Sequence, residues 1–168
     1  MKKRDFSKIP IKDVEMTFNH FEKRQTSDEE KIRLTRELLH KVFSSFTSQK
    51  LLSPKNKPEE WILRKHLSTR ERLRYYDEIY SRIFKNLDGK VSVFDLGAGV
   101  NGFSYKYFKN KVNYFAIESV GQLVELMNDY FQKNKISGKA IHASLFETDK
   151  LKNIIRSTNG KKVVFLFK

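Results

Sequence analysis

The chain has 168 residues, no cysteine, and 34 Lys and Arg against 20 Asp and Glu, a formal net charge of +14. Zero cysteines exclude disulfides, thiolate-held zinc and thiol nucleophiles, and fit a cytosolic protein; no apolar window approaches the ~18 residues of a membrane span. Apolar residues at 39%, with 14 Phe and 7 Tyr, supply enough bulk for a packed core and argue against wholesale disorder.

The first 88 residues hold no glycine and read as helical. A first helix is expected over about Ile11 to Lys23, with Val14, Phe18 and Phe21 on one stripe. Ser27 and Glu30 have the spacing of a capping box before a second helix, whose stripe is Ile32, Leu39, Val42, Phe43 and Phe46. The stretch from Thr47 to Lys57, with Pro54, reads as a loop. Pro58, Glu59 and Glu60 suit the first turn of a short helix carrying Trp61 and Ile62. Ser68 and Glu71 make a second capping box before a long helix with Leu73, Tyr76, Tyr80, Ile83, Phe84 and Leu87 on its inner face, ended by Asp88-Gly89.

After Gly89 the rhythm changes. Val91 to Leu96 is a short apolar run bounded by glycines, as in a buried parallel strand. A short helix around Phe103 to Phe108 precedes a second strand, Asn113 to Ile117. Ser119 and Gln122 are placed to cap the next helix, with Val120, Leu123, Val124, Met127 and Phe131 inward. Lys139 to Ala143 is a third strand, Leu151 to Ile155 lies in a helix, and Lys162 to Phe167 is a fourth strand. Four alternations of strand and helix call for a doubly wound α/β sheet with right-handed crossovers. The expected division is therefore a helical module, residues 1–88, followed by a sheet domain, residues 89–168.

Gly97, Gly99 and Gly102 join the first strand to the first sheet-domain helix at GxGxxG spacing, which lets backbone approach a nucleotide closely. Acidic Glu118 at the end of the second strand is placed to accept ribose hydroxyls. Such a loop often serves only strand-to-helix packing, but the strand before it, the helix after it and Glu118 together favour a ligand. Asp95, two residues before the first glycine, separates the cofactors. A carboxylate there would repel a pyrophosphate, whereas S-adenosyl-L-methionine carries a sulfonium and an ammonium that it complements. The methyl donor is favoured over a dinucleotide.

Three segments then resemble one known group. The run from Lys65 to Leu73, KHLSTRERL, continuing as RYYDEIYSRIF to Phe84, is similar to the segment preceding the catalytic domain of aminoglycoside-resistance 16S rRNA methyltransferases. FDLGAGVNGF, Phe94 to Phe103, resembles their glycine loop with its Asn, here Asn101, and VVFLFK, Val163 to Lys168, resembles their fourth strand. Gly102 stands where such enzymes usually have proline, Ala98 replaces a common cysteine, and Glu118 replaces aspartate. The resemblance implies a Rossmann-like class I methyltransferase sheet preceded by a helical rRNA-binding module, and transfer of methyl from S-adenosyl-L-methionine to N7 of a guanine in small-subunit ribosomal RNA.

It also assigns roles. Arg72 would bind the methionine carboxylate, for which its bidentate fork is suited. Asp95, Gly97, Ala98, Gly99, Asn101, Gly102, Glu118, Ser119, Ser144 and Leu145 would complete the cofactor site, the last two against the adenine. Lys168 would approach the target base. Arg64, Lys65, His66, Arg70 and Arg74, with Trp61 and Tyr75 nearby, would meet RNA through phosphate contacts and stacking. An ordinary solvated helix end is the competing reading of that cluster. Residues 1–88 carry 21 basic and 14 acidic side chains, and residues 89–168 carry 13 and 6, so each part is +7 and no basic tail accounts for the charge.

No paired carboxylates, Ser-His-Asp set or HExxH motif is visible in the sequence, and no metal is expected. Guanine N7 already has a lone pair, so its methylation needs no general base. The 80 residues from Gly89 hold four strands, against seven in a class I sheet, so about half of that sheet is expected here. Two other functions fit the same residues: an RNA-binding module with a vestigial cofactor fold, and a methyltransferase for a protein or small molecule.

Overall fold

A computed structural model describes residues 8–44, 47–54, 56–108, 112–158 and 162–167. Its centre is a four-stranded parallel sheet, β1 (Val91–Leu96), β2 (Val112–Glu118), β3 (Gly138–His142) and β4 (Lys162–Phe167), in the order β3-β2-β1-β4. Strands β1 to β3 step outward in one direction and β4 returns to the other side of β1. The loop leaving β1 therefore lies at the point where strand order reverses, the usual ligand crevice of an open α/β sheet. Val91, Val93 and Phe94 of β1 are fully buried, as an inner strand requires, and so are the polar Ser92 and Asp95 of the same strand.

The helices before the sheet are α1 (Ile11–Glu22), α2 (Asp28–Ser44), α3 (Gln49–Leu52), α4 (Glu59–Lys65), α5 (Leu67–Arg72) and α6 (Tyr76–Ile83). The Ser27 hydroxyl accepts the Glu30 N–H at 3.3 Å, so the first capping box closes on one side; the Glu30 carboxylate turns instead to Arg33. The region from 47 to 57 is not all loop. Ser48 caps α3 by accepting the Leu51 N–H at 3.2 Å, and Leu51 is fully buried. Phe46, expected on the α2 stripe, lies outside the described residues.

The long helix expected from Ser68 to Leu87 is broken. A 3₁₀ turn, Leu73–Tyr75, separates α5 from α6, and the second capping box does not form. The Ser68 hydroxyl faces His66 Nδ1 at 3.1 Å rather than a backbone N–H. The Thr69 hydroxyl reaches back to the carbonyls of Leu63 and His66 at 2.6 and 3.1 Å, fixing the bend between α4 and α5. Gly89 has φ of +81°, in the left-handed region, but it follows the end of α6 by several residues and turns the chain into β1.

Between the strands lie a 3₁₀ segment (Asn101–Tyr107), α7 (Gly121–Lys133) and α8 (Thr148–Arg156). Ser119 does not cap α7; the helix starts after Val120 with no side-chain cap. The inward face of α7 is as expected, with Val120, Leu123, Val124, Met127 and Phe131 all buried. Leu51, Ile62, Leu63, Tyr76, Tyr80 and Phe84 share one apolar cluster with β1, β2 and α7, so the helical residues from 51 onward are built onto the sheet. Among the described residues no helix is long and apolar enough to cross a membrane.

Candidate cofactor site and basic surface

The glycine loop is stitched to the end of β2. The N–H groups of Gly97 and Ala98 both donate to the Ile117 carbonyl, at 3.0 and 2.9 Å. Glu118 completes the clamp: one carboxylate oxygen accepts the Gly99 N–H at 2.7 Å, the other the Val120 N–H at 2.9 Å. Gly97 and Gly99 have φ of +73° and +56°. At Gly99 a side chain is also excluded by space, since a Cβ there would sit 2.7 Å from the His66 ring. Gly102 does different work. A Cβ at that position would meet Phe131 Cζ at 2.6 Å, so this glycine serves the packing of α7.

Beneath the loop lies a buried polar network. Asp95 is fully buried, and its Oδ2 accepts the Tyr114 hydroxyl at 2.5 Å and the Asn101 amide at 2.6 Å. Asn101 Oδ1 in turn accepts the Tyr76 hydroxyl at 2.7 Å, and its amide also reaches the Tyr80 oxygen at 3.0 Å. Ser104 closes the set against Tyr80 at 2.9 Å. Burial pushes the Tyr114 hydroxyl well above its ordinary value, with the Asp95 charge adding to it, so Tyr114 stays a donor. Burial likewise pushes Tyr80 up to about 12.

Above the loop, a cavity of about 430 Å³ opens over the carboxyl ends of β1, β2 and β3. Gly97 and Gly99 form its wall at β1, Glu118 and Ser119 at β2, and Leu145 and Phe146 beyond β3. His66 and Ser68 enter from the α4–α5 bend. Asp13 of α1 and Val42 and Phe43 of α2 close the remaining side. Three buried polar atoms near this region have no hydrogen-bond partner: Arg72 Nη2, Asp95 Oδ1 and Asp13 Oδ2. Among the described residues no group of three or more His, Asp or Glu side chains is arranged to hold a metal ion.

The expected cofactor residues thus divide. Gly97, Gly99, Glu118, Ser119 and Leu145 line the cavity. Asp95, Ala98, Asn101 and Gly102 are buried within or below the loop and outside the lining, shaping it from beneath. Arg72 is half-buried; its Nε donates to the Ser68 carbonyl at 2.8 Å, which leaves Nη2 as its orphaned donor. Ser144 is fully buried, its hydroxyl donating to Asp13 Oδ1 at 3.0 Å. His66, expected to position RNA or cofactor or else to be a packing residue, is 3% exposed, packs on Gly99 and lines the cavity, apart from the exposed basic residues it was grouped with. Lys168 lies outside the described residues.

Arg64, Lys65, Arg70 and Arg74 are exposed, as a phosphate-contacting set must be. A surface groove joins Arg64, Arg70 and Arg74 with Glu60, Glu71 and Asp77. Arg64 pairs with Glu60 at 2.6 Å, Lys65 lies over the Trp61 ring and Arg74 over Tyr75, at 5.5 and 4.5 Å from the ring centres. Sequence reasoning missed Asp13, Val42, Phe43 and Phe146 as cavity residues. It assigned Tyr76 and Tyr80 to the core, where they sit, but not to the polar network that they also serve.

The fold is shared with solved structures. The 16S rRNA methylase RmtB superposes with a TM-score of 0.74 at 15% identity, covering 86% of this chain and 61% of that one. An rRNA methylase from Escherichia coli gives 0.72 at 17% identity, with 86% and 61% covered. The 16S rRNA methyltransferase RmtF, in complex with S-adenosyl-L-homocysteine, gives 0.70 at 19% identity, with 87% and 60% covered. The chain thus spans about three-fifths of the length of these structures. No curated protein matches the chain in sequence. The family model described as ribosomal RNA methyltransferase (FmrO) matches residues 58–149, from the start of α4 through the glycine loop to the first turn of α8. That match takes in more than half of the 168 residues, and the chain belongs to the ribosomal RNA methyltransferase (FmrO) family.

Proposed function

We propose that the chain is the cofactor-binding part of an S-adenosyl-L-methionine-dependent methyltransferase acting on small-subunit ribosomal RNA at a guanine N7. The observation that carries this reading is the cavity over β1 to β3, lined by glycine backbone, a strand-end carboxylate and an apolar slot. Outside its lining, Arg72 and Asp95 each keep a buried polar atom without a partner, and the two are of opposite charge. Arg72 Nη2 is suited to a carboxylate and Asp95 Oδ1 to an ammonium, and a zwitterionic amino-acid tail satisfies both. Arg72 and Asp95 flank the same tyrosines: after burial, the charges of both act on the Tyr76 and Tyr80 hydroxyls, in opposite senses. Glu118 already holds the loop with both oxygens; Oε1 also accepts the Ser119 hydroxyl at 3.4 Å, and Oε2, which accepts the Gly99 N–H, keeps a second lone pair for a ribose hydroxyl. The RmtF complex with S-adenosyl-L-homocysteine supports the same ligand class.

The bound cofactor supplies an electrophilic methyl group on a sulfonium. The residues of this chain bind and orient it. Asn101, held by Tyr76 and Tyr80, fixes Asp95 and with it the loop, so the donor is presented in one geometry. Positioning of this kind is the main catalytic device for a nucleophile that needs no deprotonation. Arg64, Lys65, Arg70 and Arg74 are the proposed phosphate contacts of the helical module, residues 1–88, and Lys168 is proposed to approach the target base on sequence grounds.

Calorimetry with S-adenosyl-L-methionine tests the cofactor assignment: saturable binding, weakened by Asp95→Ala and by Arg72→Ala, is expected, and no binding refutes it. For the substrate, a filter assay of small-subunit rRNA binding against salt is expected to show an affinity falling steeply with ionic strength, and a shallower slope for Arg70→Ala with Arg74→Ala. A salt-independent affinity instead favours a protein or small-molecule substrate.

A further inference from the structure

We propose that Asp13, on helix α1, is a binding residue of the cofactor cavity and accepts a hydrogen bond from the exocyclic amine of the ligand's purine. The inference rests on the cofactor reading above and deepens it. The three walls of the cavity follow the strand order: Gly97 and Gly99 at β1, Glu118 at β2, Leu145 and Phe146 beyond β3. With ribose hydroxyls on Glu118 and the amino-acid tail toward Arg72 and Asp95, the base extends outward over β3.

The Ser144 side chain and N–H at that corner are spent. The Ser144 N–H donates to Glu147 at 2.8 Å, and its hydroxyl donates to Asp13 Oδ1 while accepting the Phe146 N–H at 3.1 Å. What remains is Asp13 itself. Its Oδ2 is buried and has no partner, and the residue lines the cavity beside Val42, Phe43, Leu145 and Phe146. A carboxylate oxygen in an apolar slot, without a donor, is costly to leave so. Burial accordingly raises the Asp13 carboxyl above its ordinary range. A 6-aminopurine brings a flat apolar face for the slot and an N–H for the orphaned oxygen.

The helix is tied in place for this role. The Lys8 carbonyl accepts the Gly121 N–H at 2.9 Å, and the Lys8 ammonium pairs with Glu125, fastening the start of α1 to α7. Specificity for the base is thus supplied from a helix more than a hundred residues away from β3 in sequence, and the N-terminal helices complete the cofactor pocket.

The test is calorimetry on the full chain with S-adenosyl-L-homocysteine and with its inosine analogue, in which the amine is a keto oxygen. The wild type is expected to prefer the adenosyl ligand. Asp13→Ala is expected to lose about ten-fold in adenosyl affinity, the loss of one charge-assisted hydrogen bond, and with it the preference. Asp13→Asn, whose amide can donate to a keto oxygen, should narrow or reverse it. The readout is a ratio of two affinities in one protein, so partial unfolding of a variant cancels. Unchanged ratios in both variants, or a wild type without preference, overturn the assignment of Asp13 and leave the cofactor reading standing. A wild type that binds neither ligand overturns both.

Discussion

Replacing Gly99 with alanine tests the geometry of the loop most directly. Two costs follow from the structure. At φ of +56° an L side chain is in the left-handed region, which costs about 1–2 kcal/mol. The new Cβ also meets the His66 ring at 2.7 Å, and that ring cannot swing freely, being 3% exposed and held to the Ser68 hydroxyl at 3.1 Å. Overpacking of this kind costs about 1–3 kcal/mol. Together the substitution is expected to destabilise by roughly 2–5 kcal/mol, which for a domain of this size lowers Tm by about 5–15 °C. The two parts can be separated. Truncating the ring with His66→Ala removes the clash and leaves the backbone strain, so a double-mutant cycle should show a favourable coupling of about 1–3 kcal/mol. Thermal unfolding of the wild type, both single variants and the double variant measures it. A Gly99→Ala protein that melts within about 2 °C of the wild type, or a cycle with no coupling, would show that His66 does not sit on the loop.

The other glycine predicts a different pattern: Gly102→Ala carries no left-handed strain but drives Cβ to 2.6 Å from Phe131 Cζ, so about 1–3 kcal/mol should be lost in urea unfolding and recovered by Phe131→Leu. Tyr114→Phe keeps the ring volume and deletes the 2.5 Å donor to Asp95, leaving Asn101 as its remaining donor; a loss of about 1.5–3 kcal/mol is expected by the same measurement. Asp13 sets a pH signature. Its carboxyl is raised in the folded chain by burial and then by Glu147, against the opposing Ser144 hydrogen bond and His142, so the fold disfavours its ionised form. Its contribution to stability is therefore greatest below the unfolded value near 3.8 and falls as pH rises from there through the higher folded value. Asp13→Asn should flatten the stability profile as pH rises from about 3.8.

The sheet was readable because each strand is an apolar run bounded by turn residues, and all four expected strands form within a residue or so of where the run places them. The glycine loop was readable because its spacing has a fixed backbone consequence. The break between α5 and α6 was not, since Leu73, Tyr76 and Tyr80 keep helical spacing through it. What decides the break is tertiary: the hydroxyls of Tyr76 and Tyr80 must reach Asn101 in a separate element. Tyr114 did carry a signal, for a tyrosine in an inner parallel strand needs a buried partner for its hydroxyl, and Asp95 on the adjacent strand is that partner. Asp13 carried none. An aspartate in the first turn of a helix reads as a dipole partner, and only the folded chain brings it to Ser144.

The segment that carries the proposed RNA contacts also packs on the glycine loop. Between residues 64 and 74, Arg64, Lys65, Arg70 and Arg74 point to solvent, while His66 and Thr69 are buried and Arg72 is half-buried. Burial sorts them: His66, Thr69 and Tyr76 turn to the interior, and the basic residues other than Arg72 stay at the surface. His66 touches the glycine loop at Gly99, and Tyr76 holds Asn101 beneath that loop. On the proposed reading, a phosphate drawn to Arg70 or Arg74 binds a segment that is also packed on the loop. The bend between α4 and α5 is fixed by the fully buried Thr69, whose hydroxyl reaches the carbonyls of Leu63 and His66. On the same reading, charge reversal at Arg70 or Arg74 is expected to weaken RNA binding and leave cofactor binding unchanged in calorimetry, whereas loss of the Thr69 hydroxyl is expected to weaken both.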